Sequence, residues 1–405
     1  MRPFEGRRVL LGVTGGIAAY KSATLARELT LAGAEVDVVL TRSAREFVGA
    51  ITFEALTGRP VFDQLIAVGH ALDHIRLPRS AQVIVVAPAT ADFIARAAIG
   101  RADDLLTASL LAAGDVPVLV VPSMNDRMWA HPQVQRNVAR LREIGYHVLD
   151  PEVGLLASRE EGSGAGRMPE PATIIAHIAR LLEPASSLHG KHVVVSAGPT
   201  REALDPVRYL SNHSTGKMGV ALAAAAWRRG AEVTLVAGPL AVAYPVGPRV
   251  VAVQSTQEMA EAVGAALATA DALIMAAAPA DFRAAQMADQ KIKKGAKGSE
   301  PPSLALAFTT DILQATRDAR RAGCVVVGFA LETEQLEANA RAKLQKKELD
   351  LVVANRAEEG AGFGYDTNRV TLIGRDGSKV DLPLQSKADV ADAILDRVTG
   401  LFDGR

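Results

Sequence analysis

The stretch Val9-Leu10-Leu11-Gly12-Val13-Thr14-Gly15-Gly16 decides how the fold is read. Residues 9–13 are a short apolar run, Thr14-Gly15-Gly16 supplies a turn, and residues 18–31 follow with a helical pattern. Gly33 stops that helix, because glycine reaches positive φ without a Cβ penalty. Ala34-Glu35-Val36 then leads into a second strand ending at Leu40-Thr41. Strand, glycine turn, helix and strand in this order make a βαβ unit. The plan returns further along. Residues 192–196 read as a strand, a loop with glycines follows, and residues 218–229 read as a helix stopped by Gly230. Gly-Ala-Glu-Val thus occurs at 33–36 and again at 230–233.

A second echo strengthens the first. Residues 83–86 run into Ala-Pro-Ala-Thr-Ala-Asp-Phe at 87–93, and residues 273–275 approach Ala-Pro-Ala-Asp-Phe at 278–282. Each reads as a buried strand, a turn with proline and a helix start. A chain of 405 residues has room for two or three domains at ~100–200 residues each. The expected fold is α/β, with two Rossmann-like doubly wound domains and mostly parallel sheets. Pro184, Ser186, Ser187 and Gly190 interrupt a helix-like run, which sets the expected domains at 1–184 and 191–405 with a linker at 185–190.

Composition narrows the function classes. Aromatic residues are only 4% of the chain, which favours buried parallel sheet over an all-β sandwich. Lys+Arg (45) equals Asp+Glu (45), so no net basic field points to nucleic acid or an anionic membrane. One cysteine, Cys324, rules out an intrachain disulfide framework or a cysteine-rich zinc site and reads as a buried core thiol. The N-terminus lacks a signal peptide's apolar core, and no uncharged apolar run reaches the ~18 residues of a membrane span. A cytoplasmic protein acting on small molecules is expected.

A glycine turn between strand and helix puts backbone N–H groups at a helix N-terminus, which suits a phosphate. A nicotinamide dinucleotide demands more: G-x-G-x-x-G after the first strand and an acid at the end of the second. The first turn lacks that spacing, and the second strands end in Leu40-Thr41 and Ala237-Gly238 without an acid. A flavin mononucleotide needs only the cradle and hydroxyls, and Thr41 and Ser43 supply hydroxyls at the next strand end. His70 and His74 are four apart without an H-E-x-x-H frame, and no G-x-S-x-G elbow exists. Three polar positions stand next to strand ends: His74, Thr90, and Asn125 in Pro-Ser-Met-Asn-Asp-Arg-Met-Trp at 122–129.

The first half resembles the flavin-dependent cysteine decarboxylases. Thr-Gly-Gly-Ile-Ala-Ala-Tyr-Lys at 14–21, His74, Ala-Pro-Ala-Thr and the P-x-M-N-x-x-M-W pattern match in order. The second half resembles the phosphopantothenate–cysteine ligases. Its matches are SAGPTRE at 196–202, LDPVRYLSNHSTGKMG at 204–219, ADFR at 280–283, KIKK at 291–294 and GFALET at 328–333. Together they cover essentially the whole chain, and the arrangement resembles the fused bacterial enzymes of coenzyme A biosynthesis.

The resemblance implies two activities. The ligase half would join 4′-phosphopantothenate to L-cysteine through an acyl-cytidylate made from CTP. The decarboxylase half would use FMN to oxidise the product's thiol to a thioaldehyde, so that the carboxylate can leave as CO₂. On this reading His74 is the base-like residue near the thiol and Asn125 holds the departing carboxylate. Gly15, Gly16, Thr41, Ser43, Ala89 and Thr90 lie along the flavin. In the ligase half Met275, Ala276, Ala277, Asp281, Thr309, Thr310, Asp311, Ile312, Phe329, Lys343 and Lys347 match nucleotide contacts. Asp281 also helps hold Mg²⁺ or Mn²⁺. Asn212 and Lys217 match positions for the acyl intermediate and the substrate phosphate. Lys291 opens a basic run with Lys293, Lys294 and Lys297 between glycines, suited to closing over a triphosphate. Flavin-domain trimers and ligase-domain dimers are implied as well.

One position departs from the family. The decarboxylases usually carry a proton-donating Cys before a G-x-G-R-M stretch, whereas here the segment is LASREEGSGAGRM at 156–168 and Ser158 takes its place. An alcohol is a far weaker acid than a thiol of pKa ~8.5. Glu160, Glu161 or an ordered water is then the source from which Ser158 relays a proton. Two other readings stand beside the bifunctional enzyme. One is a ligase with a flavin-binding but inactive decarboxylase half, and the other is a non-catalytic flavin-binding assembly module.

Overall fold

The computed structural model describes residues 3–155, 162–183, 187–293, 303–332, 335–356, 362 and 364–403. The chain forms two compact units, Met1–Pro184 and Ala185–Arg405.

In the first unit the apolar runs become a six-stranded sheet. Its strands are β1 (Arg8–Val13), β2 (Glu35–Leu40), β3 (Val61–Phe62), β4 (Val83–Ala89), β5 (Val118–Pro122) and β6 (His147–Val148). They lie in the order β3-β2-β1-β4-β5-β6, all parallel. Alternation of side chains divides the buried aliphatics between two faces. Val9, Leu11 and Val13 join one core with the helices Ala19–Leu31 and Pro171–Leu182. Leu10, Ile84 and Val86 join the other, with helices such as Ala91–Ala98 and Leu105–Leu111. Strands buried on both faces read as near-continuous Val/Ile/Leu, which is why this sheet stands out in the sequence. A hairpin of β7 (Glu152–Leu155) and β8 (Ser163–Arg167) follows the sheet.

The second unit repeats the plan. Here β9 (His192–Ala197) carries the first turn, and β10 (Arg201–Ala203) and β11 (Tyr209–Ser211) make a small hairpin. Next come β12 (Glu232–Ala237), β13 (Arg249–Ala252) and β14 (Ala272–Met275), then an arm of β15 (Phe282–Ala284) and β16 (Leu306–Phe308). β17 (Val325–Glu332), β18 (Leu351–Arg356), β19 (Thr367–Asn368), β20 (Val370–Gly374), β21 (Lys379–Asp381) and β22 (Gln385–Ser386) complete it. The main sheet runs β13-β12-β9-β14-β17-β18-β20-β21, parallel as far as β18 and antiparallel beyond it. Both sheets reverse direction of winding beside their first strand, between β1 and β4 and between β9 and β14. In such sheets ligands bind at the carboxyl edge of that switch point. Among the described residues no helix is long and apolar enough to cross a membrane.

Two local expectations are corrected. Residues 87–89 are not a turn, because β4 continues through the cis Ala87–Pro88 peptide to Ala89. The second echo starts no helix either, since Phe282–Ala284 pairs with β16 instead. In the first echo Thr90 caps the helix by accepting from Phe93 N at 3.4 Å. The second echo lacks the Thr-Ala pair, and with it that cap.

Candidate functional sites

In the first unit the ends of β1 and β4 are stitched together. Buried Thr14 donates from Oγ1 to the Pro88 carbonyl at 2.8 Å and accepts from Thr90 N at 3.1 Å. Ser22 Oγ donates to the Ala87 carbonyl at 2.7 Å. Gly15 lies so close to the loop after β2 that a Cβ would fall 2.3 Å from Ser43 Cβ, so only glycine fits. A Cβ on Gly16 would meet only Thr90 Cγ2, at 3.6 Å. Thr41 is buried and its Oγ1 accepts from Ala44 N at 3.3 Å, while Ser43 is exposed. The helix Ala19–Leu31 starts with no side-chain cap and no acid in its first turn. Its N–H pole is therefore a ready site for a phosphate. Gly15, Gly16, Thr41, Ser43, Ala89 and Thr90 thus gather at one sheet edge. Lys21, the last residue of the glycine motif, serves to hold the fold together here. Its Nζ reaches Met168 O at 3.1 Å and Glu170 Oε1 at 3.0 Å. That contact holds the Glu170 carboxyl below the usual carboxylate range.

Asn125 follows β5 at the same edge and caps the short helix Asp126–Trp129, accepting from Arg127 N at 3.0 Å. The loop is backed by β8. Met124 N donates to Gly166 O at 3.0 Å, and a Cβ on Gly166 would lie 2.1 Å from Met124 O. Gly164 would likewise strike Asp126 Cβ at 2.6 Å. Met124 and Trp129 also pack on the core. His74 lies in the first turn of the helix Asp73–Ser80. That helix runs back to the start of β4, so its N-terminus lies on the carboxyl-edge side. His74 Nδ1 is buried without a hydrogen-bond partner. His70 is engaged elsewhere, with Nδ1 2.8 Å from Asp73 Oδ2. Ser158, Glu160 and Glu161 fall outside the described residues.

In the second unit a cavity of about 810 Å³ opens at the ends of β9, β14 and β17. Asn212, Lys217, Met275, Ala276, Ala277, Asp281, Thr309, Thr310, Asp311, Ile312, Phe329, Lys343 and Lys347 all line it. The Asn212 amide donates to the carbonyls of Ala278 and Pro279 at 3.1 and 3.0 Å. Lys343 Nζ donates to the Phe329 carbonyl at 2.6 Å, and Lys347 pairs with Asp311. Burial pulls Lys347 below the ordinary lysine value. The helix Lys217–Arg228 starts at Gly216, whose φ of +79° only glycine adopts easily. Lys217 Nζ meets Gly364 O at 2.9 Å and Asp366 Oδ1 at 2.7 Å.

Lys291 does not line this cavity. It is exposed beside Ile292, whose backbone is pinned by Asp205 (N to Oδ2, 3.1 Å) and by Arg208 (NH2 to O, 2.8 Å). Lys294 and Lys297 fall outside the described residues. The cavity adds residues that the motifs did not single out, notably Asn355, Asn368 and Lys387. Asn355 is the second-last residue of β18, and a strand-end rule would have found it. Lys387, buried with Nζ 2.9 Å from Gly362 O and 2.5 Å from Tyr365 O, gives no such local signal. Among the described residues no three His, Cys, Asp or Glu side chains cluster as metal ligands. The exposed Asp281 carboxylate has no hydrogen bond or ion pair there.

Two nucleotide-type edges, one per unit, define a two-domain α/β enzyme. Residues 2–183 match the family model described as Flavoprotein, and residues 188–401 match that of the DNA/pantothenate metabolism flavoprotein C-terminal domain. A coenzyme A biosynthesis bifunctional protein CoaBC of Mycobacterium tuberculosis (strain ATCC 25618 / H37Rv) is 46% identical over 412 residues, covering 98% of this chain and 97% of that one. The protein of the same name from Vibrio vulnificus (strain YJ016) is 44% identical, covering 99% and 100%. That of Bacillus subtilis (strain 168) is 44% identical, covering 98% of each. The chain belongs to the CoaBC family of bifunctional coenzyme A biosynthesis enzymes, with a flavoprotein decarboxylase domain and a ligase domain.

Proposed function

We propose that the second unit ligates 4′-phosphopantothenate to L-cysteine with CTP through an acyl-cytidylate, and that the first unit decarboxylates phosphopantothenoylcysteine to 4′-phosphopantetheine with FMN. The observation that carries the reading is the single cavity shared by Asn212, Lys217, Asp281, Lys343 and Lys347. A free carboxylate is a poor acyl donor, and cations around a triphosphate stabilise the charge that develops as pyrophosphate leaves. Lys343 and Lys347 stand one helical turn apart, so both ammonium groups reach the same space. Lys217, at a helix N-terminus, suits the substrate phosphate. Asp281 offers one carboxylate, which fits a Mg²⁺ or Mn²⁺ that takes most of its ligands from the triphosphate. Lys291 is proposed to close over that triphosphate.

The first unit fits FMN on two observations: the uncapped N–H pole behind Gly15 and Gly16, and the orphaned buried Nδ1 of His74. Bound there, FMN supplies a reversible hydride acceptor, which lets the substrate carboxylate leave as CO₂. Gly15 and Gly16 bring the backbone close, and the hydroxyls of Thr41, Ser43 and Thr90 are available to orient the group. Asn125 holds the departing carboxylate, and His74 takes the thiol proton. Ser158 stands at the proton-delivery position. The reading includes ligase-domain dimers and flavin-domain trimers; the exposed Phe282–Phe308 pair, ring centroids 5.4 Å apart and lining the cavity, offers apolar surface for the former.

A paired assay tests the reading. CTP- and cysteine-dependent pyrophosphate release should accompany CO₂ release from phosphopantothenoylcysteine. Ligation without CO₂ would leave a ligase with an inactive flavin half. Neither product would leave a flavin-binding module.

A further inference from the structure

Beneath the cavity lies a buried polar chain that none of the roles above uses. Thr200, Thr256 and Glu202 are 0%, 1% and 6% exposed. Glu202 Oε1 accepts from both Thr256 N and Thr256 Oγ1, each at 2.8 Å. The Thr200 and Thr256 hydroxyl oxygens are 2.8 Å apart, and Ala280 N donates to Thr200 Oγ1 at 2.9 Å. Counting protons gives the chain a direction. Thr256 has one hydroxyl proton and donates it to the carboxylate, so Thr200 donates to Thr256. Thr200 is then left as an acceptor for the Ala280 amide. The other side of that peptide is held by the Asn212 amide, which donates to Pro279 O at 3.0 Å, and the next peptide, Ala280–Asp281, is held by Thr309 Oγ1, which donates to Ala280 O at 2.6 Å; Thr309 N donates to Asp281 O at 3.0 Å.

We infer that Thr200, oriented by Thr256 and Glu202, is a positioning residue for the nucleotide, because it locks the Pro279–Ala280 peptide directly before Asp281 and so fixes the segment that brings Asp281 to the cavity. The inference rests on the proposed reading that Asp281 meets the metal-bound triphosphate. Hydroxyls turn freely, and a relay of them is orientationally idle until an acceptor ends it. Glu202 is that end. Its contact also places a carboxylate at the N-terminus of the helix Thr256–Leu267, where negative charge is favoured. Thr256 itself lines the cavity, so the relay runs from its wall to the Asp281 loop. A chain that served only to satisfy buried groups would affect stability, whereas a positioning chain affects nucleotide binding selectively.

The full-length enzyme tests this with Thr200→Val, which exchanges the hydroxyl for a methyl of similar size, and Thr200→Ser, which restores it. Equilibrium dialysis with Mg·CTP, KM for cysteine and the unliganded Tm are measured, with Asp281→Asn as reference. Thr200→Val should weaken CTP by roughly threefold to tenfold, the worth of one net hydrogen bond. Thr200→Ser should stay within about twofold of wild type, and KM for cysteine should not move in either variant. Thr200→Val binding CTP like wild type, while Asp281→Asn binds it poorly, would overturn the relay alone. An Asp281→Asn enzyme with unchanged CTP affinity would instead overturn the reading of the cavity. If Thr200→Val does not fold, Glu202→Ala removes the acceptor that ends the chain without touching the cavity wall: weaker CTP with unchanged KM for cysteine supports the relay, and unchanged CTP refutes it.

Discussion

The Lys217 ammonium and the Asp366 carboxylate form an ion pair at 2.7 Å, although Asp366 is 89% exposed. Lys217 holds the Asp366 carboxyl below its ordinary value. On the reading that Lys217 binds the substrate phosphate, an incoming phosphate must displace this carboxylate. Exposed pairs are weak. Asp366→Asn should accordingly lower KM for 4′-phosphopantothenate modestly, by at most about fivefold. An unchanged KM in steady-state pyrophosphate release would detach Lys217 from the phosphate.

Lys291→Gln should cut ligation on the order of a hundredfold or more, as loss of a charge-stabilising group does. Flavin content and CO₂ release should be untouched, because Lys291 belongs to the other unit. Near-normal pyrophosphate release by the variant would remove Lys291 from its role.

Asn125→Asp should keep its helix cap, since Asp caps as well as Asn. It would place a second negative charge toward the substrate carboxylate. At 4 Å the repulsion is about 1–4 kcal/mol for effective dielectrics of ~80–20. CO₂ release should fall between roughly fivefold and a thousandfold, with the flavin spectrum of the resting enzyme preserved. Wild-type CO₂ release would rule out the carboxylate contact.

Ser158 is tested by anaerobic single turnover with phosphopantothenoylcysteine, following flavin absorbance and product mass together. The expected product is 4′-phosphopantetheine, with absorbance returning to its starting value. Accumulation of the decarboxylated, still oxidised ene-thiol, relieved by Ser158→Cys, would show that serine cannot complete proton delivery.

Asp205 governs the acid behaviour of the segment at Ile292, next to Lys291. The Arg208 guanidinium, together with the amides of Val207, Ile292 and Arg208, holds its carboxyl well below the usual range. A carboxyl with a depressed folded-state pKa stabilises the fold above the unfolded value, near ~3.9, and loses that contribution as pH falls toward the folded value. Asp205→Asn should therefore have a lower Tm than wild type at pH ~6, and the gap should shrink below pH ~4. A gap independent of pH would mean that the charge is not what matters.

Much of this was legible because strand ends and glycine turns are local. β1, its turn and its helix, and their echo after β9, lie within a few residues of one another in sequence. Gly15 announces its loop because no other residue clears Ser43. Of the two misread elements, β15 was the less legible. A strand that pairs with residues more than 20 positions away, as Phe282 does with Phe308, leaves no periodic trace in a three-residue window. Lys387 was invisible for a related reason. Only the order β14-β17-β18 brings the start of the last helix to a cavity whose motifs lie 40 to 175 residues earlier. Thr200 and Glu202 sit inside a quoted motif, yet Thr256 does not, and the proton direction requires distances that no spacing encodes.

The contact between Gly166 and Met124 also has a genetic use. A methyl group added at Gly166 would collide with the Met124 carbonyl, parting β8 from the Asn125 loop while leaving every residue of the second unit as it was. A Gly166→Ala allele would thus split the gene's two jobs at one codon. Cells carrying it alone would stop growing for want of the later product. Paired in the same cell with an allele defective only in the ligase half, it would restore growth.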